Sequence, residues 1–164
     1  ATIVYDQFHL IKHLNGALDD LRRRIQRELP ADERKVLKNK RYVLLKARED
    51  LTPRQRVALA ELKRANEPLS TAYLLKEDFR EIYQAQNVGE ARQGFADWIR
   101  HVRAAAIPEM LGFLKTLRRH FNGVLAFFRY GHRVTNGLAE GFNNVIGTLK
   151  KIAYGFRDLA YWSR

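Results

Sequence analysis

The chain has 164 residues, 46% of them hydrophobic, with a formal net charge of +12 at neutral pH and no cysteine. This composition provides for a folded core and argues against global disorder, and the lack of cysteine excludes a disulfide framework and a thiolate metal site. No apolar run approaches the roughly 20 residues that a membrane-spanning helix needs, so we expect no membrane partner.

The start of the chain predicts one strand followed by a helix. The β-branched run ATIVY, residues 1–5, predicts a buried strand that ends at Asp6. Because the sequence opens inside this strand and without Met, we expect it to be part of a longer protein. Apolar residues then recur at spacings of three and four, which predicts a helix that ends near Pro30 and buries Phe8, Ile11, Leu14, Leu18, Leu21 and Ile25.

The middle of the chain predicts further helices. Residues 38–50 are predicted to be helical or partly buried, and Thr52 with Pro53 marks a helix start. Pro68 is predicted to break that helix and Ser70 to open the next one. The helix predicted at residues 90–104 has a core face, and a run after Pro108 leads toward residue 121. The core face consists of Phe95, Trp98, Ile99 and Val102.

The stretch from about residue 7 to 127 is therefore expected to be all helical, and residues 127–137 are predicted to be the last non-helical link. The charge beyond this body is strongly positive, since residues 115–164 contain nine Lys or Arg against only Glu140 and Asp158. A basic third of a chain favours a polyanionic partner, most commonly nucleic acid. The alternative is a solvated basic surface that keeps the protein soluble.

The segment TNGLAEGFNN, residues 135–144, predicts a helix with Asn136 as its N-cap. Glu140 is the only acid between Arg133 and Arg157. At about 100° per residue, one side of this helix is apolar and consists of Leu138, Phe142, Val145, Leu149 and Ile152. The opposite side is polar and nearly uncharged, which is typical of a contact surface, and consists of Glu140, Asn143, Asn144, Gly147 and Lys151.

Three roles are open for Glu140 on the residues alone. The carboxylate can stabilise the helix N-terminus, pair with Arg133 or Lys151, or act as one of several ligands of Mg²⁺. A metal site needs partners, and Asp6 is a candidate, with His9 three residues later. The alternative is that Asp6 caps the helix that begins near Gln7 and that His9 is an ordinary helix residue.

Two segments, VYDQFHLIKHLNGALDDLRR and RVTNGLAEGFNNVIGTLKKIAYGFRDL, resemble DDE transposases of bacterial insertion sequences, of the ISL-three family. The resemblance covers essentially the whole chain. It implies a mainly α chain, the C-terminal part of a ribonuclease H-like α/β domain that carries a large all-helical insertion. Residues 1–24 would end the core with one strand and a helix, residues 25–127 would form the insertion, and residues 128–164 would contain the final catalytic helix and a basic segment.

The family uses three acids and two Mg²⁺ ions to cut and join DNA, and its last catalytic acid matches Glu140. Asp6 and His9 match an Asp-x-x-His motif beside the site, and in the alternative assignment Asp6 is itself the second catalytic acid and metal ligand. Asn136 would be accessory. The first catalytic acid would precede the chain, so we expect this chain alone not to cut DNA. The residues expected to contact DNA are Arg118, Arg119, Arg133, Asn143, Asn144, Lys150, Lys151 and Arg157.

The resemblance therefore implies a DNA transposase, acting on the ends of its element and on target DNA, as a homo-oligomer at full length and in the bacterial cytoplasm at the nucleoid. A second hypothesis is an inactive DNA-binding or dimerising fragment of a decayed element. A third is a structural helical domain whose positive charge has no dedicated partner.

Overall fold

The computed structural model describes residues 7–130, and in that range the chain forms eight α-helices and a short 3-10 turn with no strand. The helices are α1 Gln7–Glu28, α2 Arg34–Leu37, α3 Arg41–Leu45, α4 Pro53–Ala65, α5 Glu67–Ile82, α6 Val88–Ala105, α7 Pro108–Arg119 and α8 Phe121–Tyr130, with the 3-10 turn at Arg48–Asp50. The prediction of a mainly α chain is confirmed. The predicted strand at residues 1–5 lies outside the described residues, and the ribonuclease H-like core stays a prediction.

Helix α1 is the centre of the structure. Its buried apolar stripe faces α7, α5, α3 and α2, and consists of Leu10, Leu14, Leu18, Leu21 and Ile25. The predicted helix is thus confirmed, but the placement of Phe8 on its buried face is wrong, because that side chain is 75% exposed. At 100° per residue Phe8 lies more than a quarter turn from the centre of the stripe, and Leu10 takes the place expected for it.

The start of α4 is set by the residues that the sequence indicated. The Thr52 hydroxyl accepts a hydrogen bond from the Gln55 N–H at 3.2 Å, and the Gln55 side chain accepts one from the Thr52 N–H at 3.0 Å. This reciprocal pair is a capping box, which satisfies two backbone donors that a helix start leaves open. The predicted helix start at Thr52 and Pro53 is confirmed.

The predicted break at Pro68 is wrong by one turn. Helix α5 begins at Glu67, and Pro68 lies in its first turn, where the missing proline N–H costs no helical hydrogen bond. The cap is Asn66, whose side-chain oxygen accepts a hydrogen bond from the Leu69 N–H at 3.0 Å. Asn66 is also where α4 ends, so one residue closes one helix and opens the next.

An aromatic cluster joins α5, α6, α7 and α8. The Phe79 ring contacts the rings of Trp98, Phe95 and Phe113 with centroids 5.0 to 5.8 Å apart. The buried Trp98 indole donates a hydrogen bond to the Leu75 carbonyl at 2.7 Å, which confirms its predicted core position.

The end of the helical body also differs from the prediction. Residues 127–130 belong to α8 and are not a non-helical link, because Phe128 is buried against Tyr83 and Phe95. The run predicted from Pro108 toward residue 121 is confirmed as α7, and α8 begins at Phe121 after a break at His120. The boundaries proposed at residues 24/25 and 127/128 fall inside α1 and α8, which continue through them.

The buried side chain of Lys76 fastens α3 to α5. Its ammonium donates hydrogen bonds of 2.7 Å to the carbonyls of Leu44 and Lys46, at the C-terminal end of α3, and lies 3.2 Å from a Glu77 oxygen. It also stands over the Tyr73 ring, 4.4 Å from the centroid. Burial lowers the pKa of Lys76 from its ordinary value, and the attraction of Glu77 opposes that effect. The cation therefore satisfies carbonyls that α3 leaves open.

We expect Lys76→Met to lower the free energy of unfolding by about 1–3 kcal/mol, because two carbonyls and Glu77 lose a buried partner. Urea denaturation followed by circular dichroism measures this. Lys63→Met is the matched control, since the Lys63 ammonium approaches the same Tyr73 ring at 5.9 Å. It should change stability by less than about 0.5 kcal/mol. Equal losses in both variants would contradict the role given to Lys76.

The lowered pKa of Lys76 also predicts a pH dependence. A lysine whose pKa is lower in the folded than in the unfolded chain costs stability while it is protonated. That cost disappears as pH rises through the folded pKa toward the ordinary value of 10.5. The stability advantage of the wild type over Lys76→Met should therefore grow as pH rises toward the ordinary lysine pKa of 10.5. The series of denaturation experiments should not extend to higher pH. Burial raises the pKa of Tyr73 to about 12, so at higher pH tyrosine ionises first in the unfolded chain, and this opposes folding.

Candidate nucleic-acid interface

Helices α1 and α7 pack side by side in opposite directions. Near the end of α1, the Arg24 guanidinium binds both oxygens of Glu109, in the first turn of α7, at 2.6 and 3.2 Å. The hydrogen bond from Arg24 is the largest cause that lowers the pKa of Glu109. A two-bonded guanidinium–carboxylate pair fixes orientation as well as distance. It therefore sets how far α7 is shifted along α1.

The opposite ends of the same two helices also meet. Burial lowers the pKa of His13, and so do the charges of Lys12, His9 and His120. Since His120 directly follows α7, the C-terminal end of α7 lies beside the first two turns of α1. His9, the histidine of the predicted Asp-x-x-His motif, belongs to this group. Within residues 7–130, no three His, Asp or Glu side chains are arranged to hold a metal ion.

A cationic groove lies on α7 and the end of α6. It is open, with a volume of about 520 Å³, and its six lining residues include four cations and no acid. These are Arg103, Leu111, Leu114, Lys115, Arg118 and Arg119. Helical periodicity explains the arrangement, because Leu111, Lys115 and Arg118 follow one another at spacings of four and three along one face of α7. Leu114 is buried beneath them, while the four cations are exposed.

A second groove, between α5 and α6, has the opposite charge. Its volume is about 350 Å³, and its lining includes four carboxylates, from Asp78, Glu81, Glu90 and Asp97. Glu90 is engaged at the start of α6, where it accepts a hydrogen bond from the Gln86 N–H at 2.8 Å. Asp97 pairs with Arg100. This face repels a polyanion, so the charge of the described residues favours approach from the side of α7.

Two of the eight residues expected to contact DNA lie in the described range. Arg118 and Arg119 are exposed in the cationic groove, at the end of α7 that meets the start of α1. The remaining predicted site residues lie outside the described residues: Asp6, Arg133, Asn136, Glu140, Asn143, Asn144, Lys150, Lys151 and Arg157.

Sequence reasoning missed two members of the groove. Lys115 was recognised only as part of a basic region, although its spacing of three from Arg118 indicates a shared helix face. Arg103 lies on another helix, in a region, residues 71–114, that contains six acids and five bases. Only the packing of α6 against α7 brings it to the groove, and no sequence spacing signals that.

Comparison with known proteins identifies the family. The family model for DDE transposases of the ISL-three type, described as a transposase, matches residues 1–164. The chain belongs to this transposase family. The segments that carried the resemblance in sequence are residues 4–23, which include most of α1, and residues 133–159 of the basic C-terminal region.

Two bacterial transposases are relatives of this transposase-family chain. The transposase for insertion sequence element IS1001 of Bordetella parapertussis is 34% identical over 167 residues, which cover 99% of this chain and 40% of that protein. The transposase for IS1557 of Mycobacterium tuberculosis is 31% identical over 176 residues, which cover 93% of this chain and 39% of that protein. The chain thus spans about two fifths of the length of these relatives. No solved structure matches it significantly, and no helix among residues 7–130 is long and apolar enough to cross a membrane.

Proposed function

We propose that this chain is the part of a DNA transposase that brings DNA to a metal-dependent active site and supplies the last catalytic carboxylate. The observation that carries the proposal is the family match over all 164 residues. The cationic groove supports it independently, because four exposed cations without an acid among them suit a DNA backbone. The proposed substrates are the ends of the element and its target DNA, and the proposed assembly is a homo-oligomer of the complete protein.

Glu140 and Asp6 are the residues proposed to hold the metal ions. Their carboxylate oxygens are the ligand type that Mg²⁺ prefers, and Glu140 is the only acid in a long basic stretch. Bound Mg²⁺ would supply charge stabilisation for the attacking and leaving oxygens of a phosphodiester. Asn143, Asn144 and Lys151 share the predicted helix face with Glu140 and would contact the DNA backbone there.

The helical body would orient the DNA relative to those carboxylates. The Arg24–Glu109 pair fixes α7 along α1. Arg118 and Arg119 lie in the last turn of α7, the end that leads to His120 near His13 of α1. Helix α1 begins directly after Asp6 in the sequence. DNA bound in the cationic groove would therefore lie near the end of α1 at which the proposed active site begins.

The alternative function is an inactive DNA-binding or dimerising fragment. The cationic groove favours it too, because phosphate binding needs no catalytic carboxylate. The two functions predict different activities for the complete protein, DNA cleavage in one case and DNA binding alone in the other. A complete transposase should cut DNA with Mg²⁺ and lose that activity in the presence of EDTA, whereas a DNA-binding fragment should bind DNA without cutting it under either condition.

The groove is tested by Arg118→Gln with Arg119→Gln in one protein. Each phosphate that a cation neutralises steepens the log–log dependence of affinity on salt by about 0.9. We expect the double variant to bind duplex DNA more weakly and with a slope shallower by about 2. Fluorescence anisotropy over a salt series measures both quantities.

Arg92→Gln is the matched control for the groove, because Arg92 is an exposed arginine of α6 outside the groove lining. Its affinity and salt slope should equal those of the wild type. If the control and the double variant lose affinity alike, the chain binds DNA by its net charge and the groove has no special part.

Glu140→Gln in a complete transposase tests the catalytic proposal. The substitution keeps the size of the side chain and removes the charge that Mg²⁺ requires. We expect strand cleavage to collapse, while the melting temperature barely changes and DNA binding holds or tightens slightly, because a repulsive charge is gone. Cleavage of a labelled element end, with binding measured in parallel, separates these effects.

The matched control is Asp158→Asn, which removes the other acid of residues 115–164. It should cleave at nearly the wild-type rate. Asp6→Asn is the companion variant. Its loss of cleavage rate should be smaller than that of Glu140→Gln if Asp6 is accessory, and similar if Asp6 is the second catalytic acid. A Glu140→Gln enzyme with near wild-type cleavage would show that Glu140 only stabilises its helix.

A further inference from the structure

A second cationic site lies where α1 meets α3, apart from the groove on α7. Its centre is the buried carboxylate of Asp19, which forms ion pairs with Arg22 at 2.8 Å, Arg23 at 3.0 Å and Arg41 at 3.2 Å. Three guanidiniums around one carboxylate leave an excess of two positive charges. A cluster that needed only to neutralise Asp19 would require one arginine.

The three arginines differ in exposure. This difference indicates which of them holds the fold together and which of them can bind a ligand. The Arg22 side chain is 12% exposed and also donates a hydrogen bond to Gln26 at 2.9 Å, so it is a structural partner. The Arg23 and Arg41 side chains are 58% and 49% exposed, and both contact the same oxygen, Oδ2 of Asp19. Because one oxygen draws two guanidiniums together and each guanidinium has five N–H donors, donors remain for an anion on the solvent side. Two adjacent guanidiniums match the geometry of a phosphate group.

An exposed aromatic ring stands beside these guanidiniums. Tyr42 is 69% exposed, and the Arg41 guanidinium lies 5.9 Å from the centre of its ring. The chain between α2 and α3 makes this placement possible, since Asn39 adopts a left-handed conformation with φ of 61°. Asparagine tolerates that conformation better than most residues, and it lets α3 begin soon after α2 ends. Residues 34–42 contain five cations and no acid: Arg34, Lys35, Lys38, Lys40 and Arg41.

We propose that Arg23, Arg41 and Tyr42 form a binding site for an unpaired segment of DNA, with the phosphate on the two guanidiniums and a base stacked on the Tyr42 ring. Cations that follow a backbone, combined with exposed rings on which bases stack, are the pattern of single-strand binding. A duplex keeps its bases stacked on one another and offers this ring no base face. Duplex DNA would use only the guanidiniums.

This site does not share a surface with the groove on α7. Arg23 belongs to α1 and Arg41 and Tyr42 to α3, whereas the groove is lined by residues of α6 and α7, and the two sites have no residue in common. The inference rests on the proposed function only in that DNA is taken as the nucleic acid. It uses none of the groove residues. An experiment can therefore contradict the single-strand site and leave the groove proposal intact, or the reverse.

The test uses a single-stranded oligonucleotide that contains 2-aminopurine, whose fluorescence falls when its base stacks on a ring. We expect the 164-residue chain to quench this fluorescence, Tyr42→Phe to retain the quenching, and Tyr42→Ala to lose it. Tyr42→Ala should bind the single strand about 5- to 150-fold more weakly, the range for one stacked base, and bind duplex DNA like the wild type. Arg41→Gln should weaken binding of both forms, and Asp19 keeps two arginine partners in that variant.

The variant with Arg118→Gln and Arg119→Gln separates this inference from the proposed function. It should lose duplex affinity and keep the Tyr42-dependent quenching. Absence of quenching by the wild type, or equal quenching by Tyr42→Ala, would overturn the single-strand site whatever the duplex result. Unchanged duplex affinity and an unchanged salt slope in this double variant, with the quenching intact, would count against the groove and leave the single-strand site standing.

Discussion

The burial of the leucine stripe of α1 is the interaction on which the rest of the described structure depends. Four helices pack against that stripe, and apolar burial is favourable at about 25 cal/mol per Å². This attraction has no direction, so leucines alone do not fix how each neighbouring helix is turned or shifted. Polar pairs at the edges of the stripe do that, Arg24 with Glu109 for α7 and Asp19 with Arg41 for α3. The Asp19–Arg41 pair is also the centre of the candidate single-strand site, whereas Arg118 and Arg119 of the cationic groove lie at the other end of α7 from Glu109.

Charge is sorted along the helices as well as between faces. In α6, Glu90 lies in the first turn and Arg103 in the last, and in α7 Glu109 lies in the first turn and Arg118 and Arg119 in the last. This is the distribution that the helix dipole favours. Glu90 is one of the four carboxylates of the acidic groove, and Arg103, Arg118 and Arg119 are three of the four cations of the cationic groove. A distribution that stabilises each helix therefore also contributes to a preferred side for a polyanion. With a screening length of about 8 Å at physiological salt, such separate patches act separately.

The sequence predicted best the features that depend on neighbouring residues. The helix start at Thr52 and Pro53, the apolar stripe of α1 and the core position of Trp98 all follow from short spacings. The errors came where two local rules compete. Pro68 can end a helix or open one, and only Asn66 as the cap decides that it opens α5. The aromatic residues 127 and 128 could belong to a link or a helix, and their packing against Tyr83 decides for α8. Groove members such as Arg103, and the meeting of Arg41 with Asp19, depend on contacts between distant segments, which spacing does not encode.

The continuity of α1 has a mechanical consequence. As an unbroken helix of 22 residues it is about 33 Å long, and it is clamped by α7, α5 and α3 over that length. A change of about 10° in the tilt of its first turn would move its far end by about 6 Å, and the helices packed on it would move too. We expect the helical body to transmit such a tilt as a nearly rigid unit, starting from the end of α1 that follows Asp6 in the sequence. If DNA binds toward the far end of α1 as proposed, a movement of that DNA would also displace the first turn of the helix.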